Sequence, residues 1–183
     1  KSNYQGSLVT RVKSLNNGLC KQIFSGQELG DSALFDENVI IDLRRIGSQE
    51  TKSLIMGILI MRLNEYRANS GISHNSDLRH ITILEEAHNI LKPNSVGQSG
   101  EGGNVAAKSV EMISNAIAER RTYGEGFIIV DQSPGAVDIS AIRNTNTKII
   151  MRLAEDNDRK VAGKASGMKD SQIDEIAKLP TGV

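Results

Sequence analysis

The sequence predicts an α/β fold with a mainly parallel sheet flanked by helices. Three observations predict it. Four short apolar runs read as strands, longer stretches of helical periodicity separate them, and the two central runs are nearly continuous in β-branched and apolar residues. Strands alternating with helices of that length imply βαβ crossovers. Strands apolar on both sides suit a parallel sheet covered on both faces.

The chain before Asn38 is the least patterned. Val9, Val12, Leu15, Leu19, Ile23 and Phe24 suggest an amphipathic helix or a strand–helix connection. Asn38-Val39-Ile40-Ile41-Asp42-Leu43 is the first predicted strand. A long helix follows from Ser48 to Arg67, with Leu54, Ile55, Ile58, Leu59, Arg62 and Leu63 on one face. Met56, Ile60 and Met61 make the rest apolar too, so the helix is expected to be buried on most sides. The second strand is His80-Ile81-Thr82-Ile83-Leu84. After it, residues 92–103 form a Gly- and Ser-rich stretch with Val96 as its one apolar residue, either a functional or a flexible loop. Asn104 is a plausible N-cap for a helix to Arg121, with Ala106, Val110, Ile113 and Ile117 at helical spacing. Gly126-Phe127-Ile128-Ile129-Val130 is the third strand and Thr147-Lys148-Ile149-Ile150-Met151 the fourth. A last helix starts at Asp170 and stops before Pro180.

Composition limits the function classes. The 183 residues carry 22 Lys+Arg and 22 Asp+Glu, which excludes a generally basic nucleic-acid coat and an acidic tail protein. Aromatics are 3% and Trp is absent, against single-strand binding by base stacking. Cys20 is the one cysteine, so an internal disulfide or a Cys-rich zinc module is excluded; it reads as a buried structural thiol. His74, His80 and His88 lack metal-binding spacing, and His88 is expected to pack or hydrogen-bond just beyond its strand. The longest apolar run, Leu54 to Met61, falls short of the roughly 20 residues of a membrane span. The opening residues, Lys1 to Thr10, lack a charged region followed by an apolar stretch, so no signal peptide is expected from them. The expectation is a soluble, cytoplasmic domain.

The sharpest chemical feature is Ile81-Thr82-Ile83-Leu84-Glu85-Glu86-Ala87-His88, an apolar strand that ends in two acids. In open parallel sheets ligands bind beyond the carboxyl ends of strands. Successive side chains diverge there, so the two acids suit different roles. One holds the water shell of a Mg²⁺ ion; the next orients and deprotonates an attacking water, the layout of a Walker B motif. The bland alternative is a buried strand ending at a solvated acidic turn. Phe127-Ile128-Ile129-Val130 likewise ends at Asp131-Gln132-Ser133-Pro134, where the Gln132 amide suits a sensor of a terminal phosphate or a simple polar strand end. Glu119-Arg120-Arg121-Thr122 ends the preceding helix. Its arginines either complement the helix dipole or supply an arginine finger to a neighbouring subunit.

Together these residues resemble a family. Leu84-Glu85-Glu86-Ala87-His88, Arg121 eleven residues before Gln132, Ser133-Pro134 and Asn144-Thr145-Asn146-Thr147-Lys148-Ile149-Ile150 look like the HerA/FtsK group of hexameric DNA-translocating ATPases, the HerA-like helicases above all. The resemblance runs from about Asn38 to Val183. It implies a RecA-like P-loop fold, ATP and Mg²⁺ as cofactors, a homo-hexameric ring, double-stranded DNA in the pore and a nuclease as a further partner. By match, Glu85 is the magnesium-side acid, Glu86 the catalytic base, Gln132 the phosphate sensor at the nucleotide, and Arg121 the trans-acting finger. Relatives carry Gly-Arg-Lys where this chain has Arg120-Arg121-Thr122, and Gln-Arg-Pro where it has Gln132-Ser133-Pro134.

One element of the family is absent. No G-x-x-x-x-G-K-[ST] string occurs, and Ala162-Gly163-Lys164-Ala165-Ser166 lacks both its first glycine and its hydroxyl after Lys164. Gly163-Lys164 reads instead as a helix end or turn. The expectation is therefore the C-terminal part of one motor domain, residues 1–183, entered after its P-loop and inactive alone. Two alternatives are a non-catalytic RecA-like adaptor and a conjugative DNA-transfer ATPase.

Overall fold

The computed structural model describes residues 5–6, 9–10, 12–13, 16–71, 76–92, 110, 113–115, 117 and 123–182. The chain divides into two compact units, Lys1–Lys52 and Ser53–Val183. In the first, α1 (Gly18–Ser25) and α2 (Asp31–Phe35) precede an extended stretch that ends in a turn at Arg44–Arg45. Phe35 and Ile46 are its buried apolar side chains among the described residues. The Arg44 guanidinium forks onto Asp42 at 2.7–3.0 Å and closes the turn.

The second unit is built on two parallel strands, β1 (His80–Glu85) and β2 (Glu125–Val130). Their register runs from His80 opposite Glu125 to Glu85 opposite Val130. Alternation sends Leu84, Phe127 and Ile129 to one face, against Ile60, Ala87, Ile90, Leu91, Val110, Ile117, Val137 and Ala141. Each large aliphatic side chain so buried contributes about 1.5–3 kcal/mol. The other face carries Ile81, Ile83, Ile128 and Val130, all exposed, so the described sheet is covered on one face where the sequence suggests two.

Helix α3 (Gln49–Asn69) matches the expected Ser48–Arg67 helix. It buries one stripe, Ile55, Ile60, Leu63 and Arg67, while Leu54, Ile58 and Met61 face solvent. The expected burial on most sides is thus corrected to burial along one stripe, with apolar side chains left on the solvent side as well. Apolar residues all round a helix do not reveal which side finds a partner. The packed stripe is set by the sheet, through the core contacts of Ile60 and Met56.

Two predicted strands are also corrected. Residues 38–43 and 147–151 join no ladder, and Ile40 and Ile149 stand 96% and 89% exposed. A strand exists only with a neighbour to hydrogen-bond, and β-branched runs alone do not supply one. Past β2 the chain makes a one-turn 3₁₀ helix (Pro134–Ala136), α4 (Ile139–Asn144), α5 (Asp156–Ala165) and α6 (Asp170–Ile176). Asp138 caps α4 by accepting from the Ser140 backbone N–H at 2.9 Å. Gly163, in the last turn of α5, lies where a Cβ would stand 2.5 Å from Ile173 Cγ1, so α5 and α6 meet at van der Waals distance. The Gly/Ser-rich stretch beyond Lys92 and most of the Asn104–Arg121 helix lie outside the described residues; Val110, Ser114 and Ile117 from it are buried.

Candidate functional site at the strand ends

The site forms where β1 and β2 end side by side. At the close of β1 the backbone of Glu86 enters the left-handed region, φ 55° and ψ 46°. Among the described residues it is the one non-glycine with positive φ. That conformation costs about 1–2 kcal/mol, and such strain concentrates at functional sites. Here it turns the chain sharply into a 3₁₀ turn, Ala87–Asn89. Ala87 and Leu91 are wholly buried and anchor that turn. The Glu86 side chain is left 53% exposed above it, and Glu85, the last residue of β1, is exposed too.

From the end of β2, Gln132 reaches across. Its Nε2 donates to Glu86 Oε1 at 3.3 Å. Asp131, 6% exposed, locks the loop. Its Oδ1 accepts from the Ser133 backbone N–H at 2.8 Å. Its Oδ2 accepts from the His88 backbone N–H at 2.8 Å and lies 2.9 Å from His88 Nδ1. His88 Nε2 lies 3.5 Å from Glu86 Oε2. Two further bonds tie the strand-end loops to the body. The Gly135 N–H donates to the buried Asp158 carboxylate at 2.7 Å, and the Asp138 N–H donates to the Leu91 carbonyl at 2.6 Å.

Of the residues singled out from the sequence, Glu85, Glu86 and Gln132 gather at one end of the sheet. Arg121, with its neighbour Arg120, lies outside the described residues. Asp131 and the Asp131–His88–Glu86 chain were not anticipated. Their one signal is an acid at the end of the strand next to a Glu-x-His turn. Among the described residues no three His, Cys, Asp or Glu side chains gather into a metal cage. The donor set suits a hydrated divalent cation shared with phosphate oxygens, since Mg²⁺ is commonly held through one or two carboxylates and substrate phosphates. No helix among the described residues is long and apolar enough to cross a membrane.

No family model matches the chain. Individual proteins do. It is 28% identical over 131 residues to the DNA double-strand break repair helicase HerA of Sulfolobus acidocaldarius, covering 70% of this chain and 24% of that protein. It is 25% identical over 153 residues to a probable helicase of Methanocaldococcus jannaschii, 80% of this chain and 27% of that one. HerA of Saccharolobus solfataricus is 24% identical over 137 residues, 73% of this chain and 25% of its own length. The chain is a distant relative of HerA-type helicases. It spans about a quarter of the length of these relatives.

Proposed function

We propose that this chain is part of the motor of an ATP-driven double-stranded DNA translocase of the HerA-like helicase class. On this reading it is the portion of a RecA-like ATPase domain that follows the P-loop. The observation that carries the reading is the contact between Gln132 and Glu86 across the ends of adjacent parallel strands. A carboxylate and an amide in contact at that edge suit water activation beside a terminal phosphate.

In the proposed chemistry Glu86 takes the proton of the attacking water as its oxygen bonds to the γ-phosphorus, while the bond from that phosphorus to the bridging oxygen breaks and ADP leaves with the electron pair. The Gln132 amide, held on the same carboxylate, aligns that water and reports whether the terminal phosphate is present. Glu85 would hold Mg²⁺ through its water shell, and the ion would supply charge neutralisation on the phosphate oxygens. Arg121 would serve as a finger toward the nucleotide of the adjacent subunit in a homo-hexamer. The residues that cradle the phosphates would come from a P-loop upstream of Lys1. Duplex DNA, a nuclease partner and a cytoplasmic location complete the reading, with HerA as the relative it follows.

The test is Glu86→Gln in the complete protein. Steady-state ATP hydrolysis should fall by roughly 10²–10⁴-fold, the range for loss of a general base, while nucleotide binding persists. Hydrolysis at the parent rate would remove Glu86 from the mechanism. A complete protein that lacks a P-loop and binds no ATP would favour the non-catalytic adaptor instead.

A further inference from the structure

We propose that His88 is a positioning residue for Glu86, held in place by Asp131. The inference rests on the reading of Glu86 as the base. An exposed glutamate samples many rotamers, and ordering it costs side-chain entropy. Something must restrict Glu86 if its carboxylate is to meet a water reproducibly. Gln132 approaches one oxygen, Oε1. His88 is the group beside the other, Oε2.

The imidazole is unusually well fixed for a side chain at a loop. His88 Nδ1 lies 2.9 Å from Asp131 Oδ2, which pairs that edge of the ring. The same oxygen takes the His88 backbone N–H, which fixes the ring and its own backbone to one atom. Asp131 is itself fixed by the Ser133 N–H and by burial. With Nδ1 committed to Asp131, the Nε2 edge faces Glu86 and limits the positions its carboxylate can take. The chain Asp131–His88–Glu86–Gln132 thus runs from the end of β2 to the end of β1 and back. It makes the spacing of the two strand ends, set by the ladder, determine where the base sits.

The test is kinetic, in the complete protein, with ATP and Mg²⁺ as substrate. His88→Ala should lower kcat by roughly ten- to a hundredfold, as expected for a small misplacement of a reacting group, with the KM for ATP unchanged. Asp131→Asn should do the same, and the double variant should be no worse than either single one, because the residues act as a unit. His88→Asn is the decisive variant. Its amide nitrogen stands near the position of Nδ1 and keeps the bond to Asp131, but it lacks the Nε2 edge. A low kcat in His88→Asn supports positioning. A parent-level kcat there, or a raised KM with kcat intact, overturns it and leaves His88 a structural anchor. Glu86→Gln measured alongside separates the two ideas. If that variant is inactive while His88→Asn is normal, only the His88 inference fails. If Glu86→Gln hydrolyses ATP normally, the base assignment fails and this inference falls with it.

Discussion

Glu125 opens β2 at the end of the sheet opposite the candidate site, and its side chain is fully buried. Three groups hold it. Arg67 Nε, from the last turn of α3, donates to Oε2 at 3.0 Å. Thr82 Oγ1 donates to Oε1 at 2.6 Å, and His80 Nδ1 lies 2.8 Å from the same oxygen. Arg67 is itself buried, with its guanidinium 5.3 Å from the centre of the Tyr66 ring. Glu125→Ala takes the carboxylate from a buried guanidinium and from two polar neighbours at once. Removing one partner of a buried ion pair costs about 3–5 kcal/mol.

With a urea dependence of about 2 kcal/mol per molar, the unfolding midpoint should fall by about 1.5–2.5 M. Equilibrium urea unfolding followed by circular dichroism measures it. Replacing both charges, Arg67→Leu with Glu125→Leu, should recover most of the loss, because a well-packed apolar pair often matches a buried ion pair. A midpoint shift below about 0.5 M for Glu125→Ala would refute the reasoning, since a carboxylate that solvent reaches could be lost cheaply.

Two further outcomes are expected. Gly163→Ala should destabilise by about 1–3 kcal/mol through overpacking against Ile173, even though alanine favours helices by about 1 kcal/mol; a raised melting temperature would mean that α5 and α6 do not pack as described. Asp42 should titrate at about 2, because hydrogen bonds from Arg44 stabilise its ionised form. The Asp42–Arg44 contact is therefore complete above the ordinary carboxylate range and is lost as pH falls through about 2. Carbon-detected NMR titration should show that midpoint move up toward 3.8 in Arg44→Ala.

Legibility from sequence followed the range of the interactions. Strands β1 and β2 and helices α3 and α6 could be read because apolar spacing within a few residues decides them. The position of the acid pair and Gln132 at the strand ends could be read because each directly follows an apolar run. Residues 38–43 and 147–151 could not, because β-branched runs do not say whether a neighbouring strand is present. A hydrogen bond for His88 just beyond its strand was expected, but its partner Asp131 could not be read. The two stand 43 residues apart and meet only because the ladder sets Glu85 opposite Val130. Glu125 was hidden by the same logic: a charged residue before Gly126 looks like a polar strand start, and its burial is explained by distant partners, Arg67 58 residues away together with Thr82 and His80.

The two ends of the sheet therefore do different work. Five residue steps separate His80 from Glu85, about 16 Å along the strand. That is about twice the screening length of roughly 8 Å at physiological salt. Charge changes at Glu125 should therefore reach Glu86 weakly, since Glu86 lies at the solvent-exposed end of the sheet. A milder variant, Glu125→Gln, keeps the shape of the network and should lower stability while leaving the kcat and KM of the complete protein unchanged. Glu86→Gln should do the reverse, because Glu86 is exposed and its removal also relieves no core contact. If Glu125→Gln changed kcat at unchanged stability, the strands would be transmitting more than position, and the division between a stabilising end and a reacting end would fail.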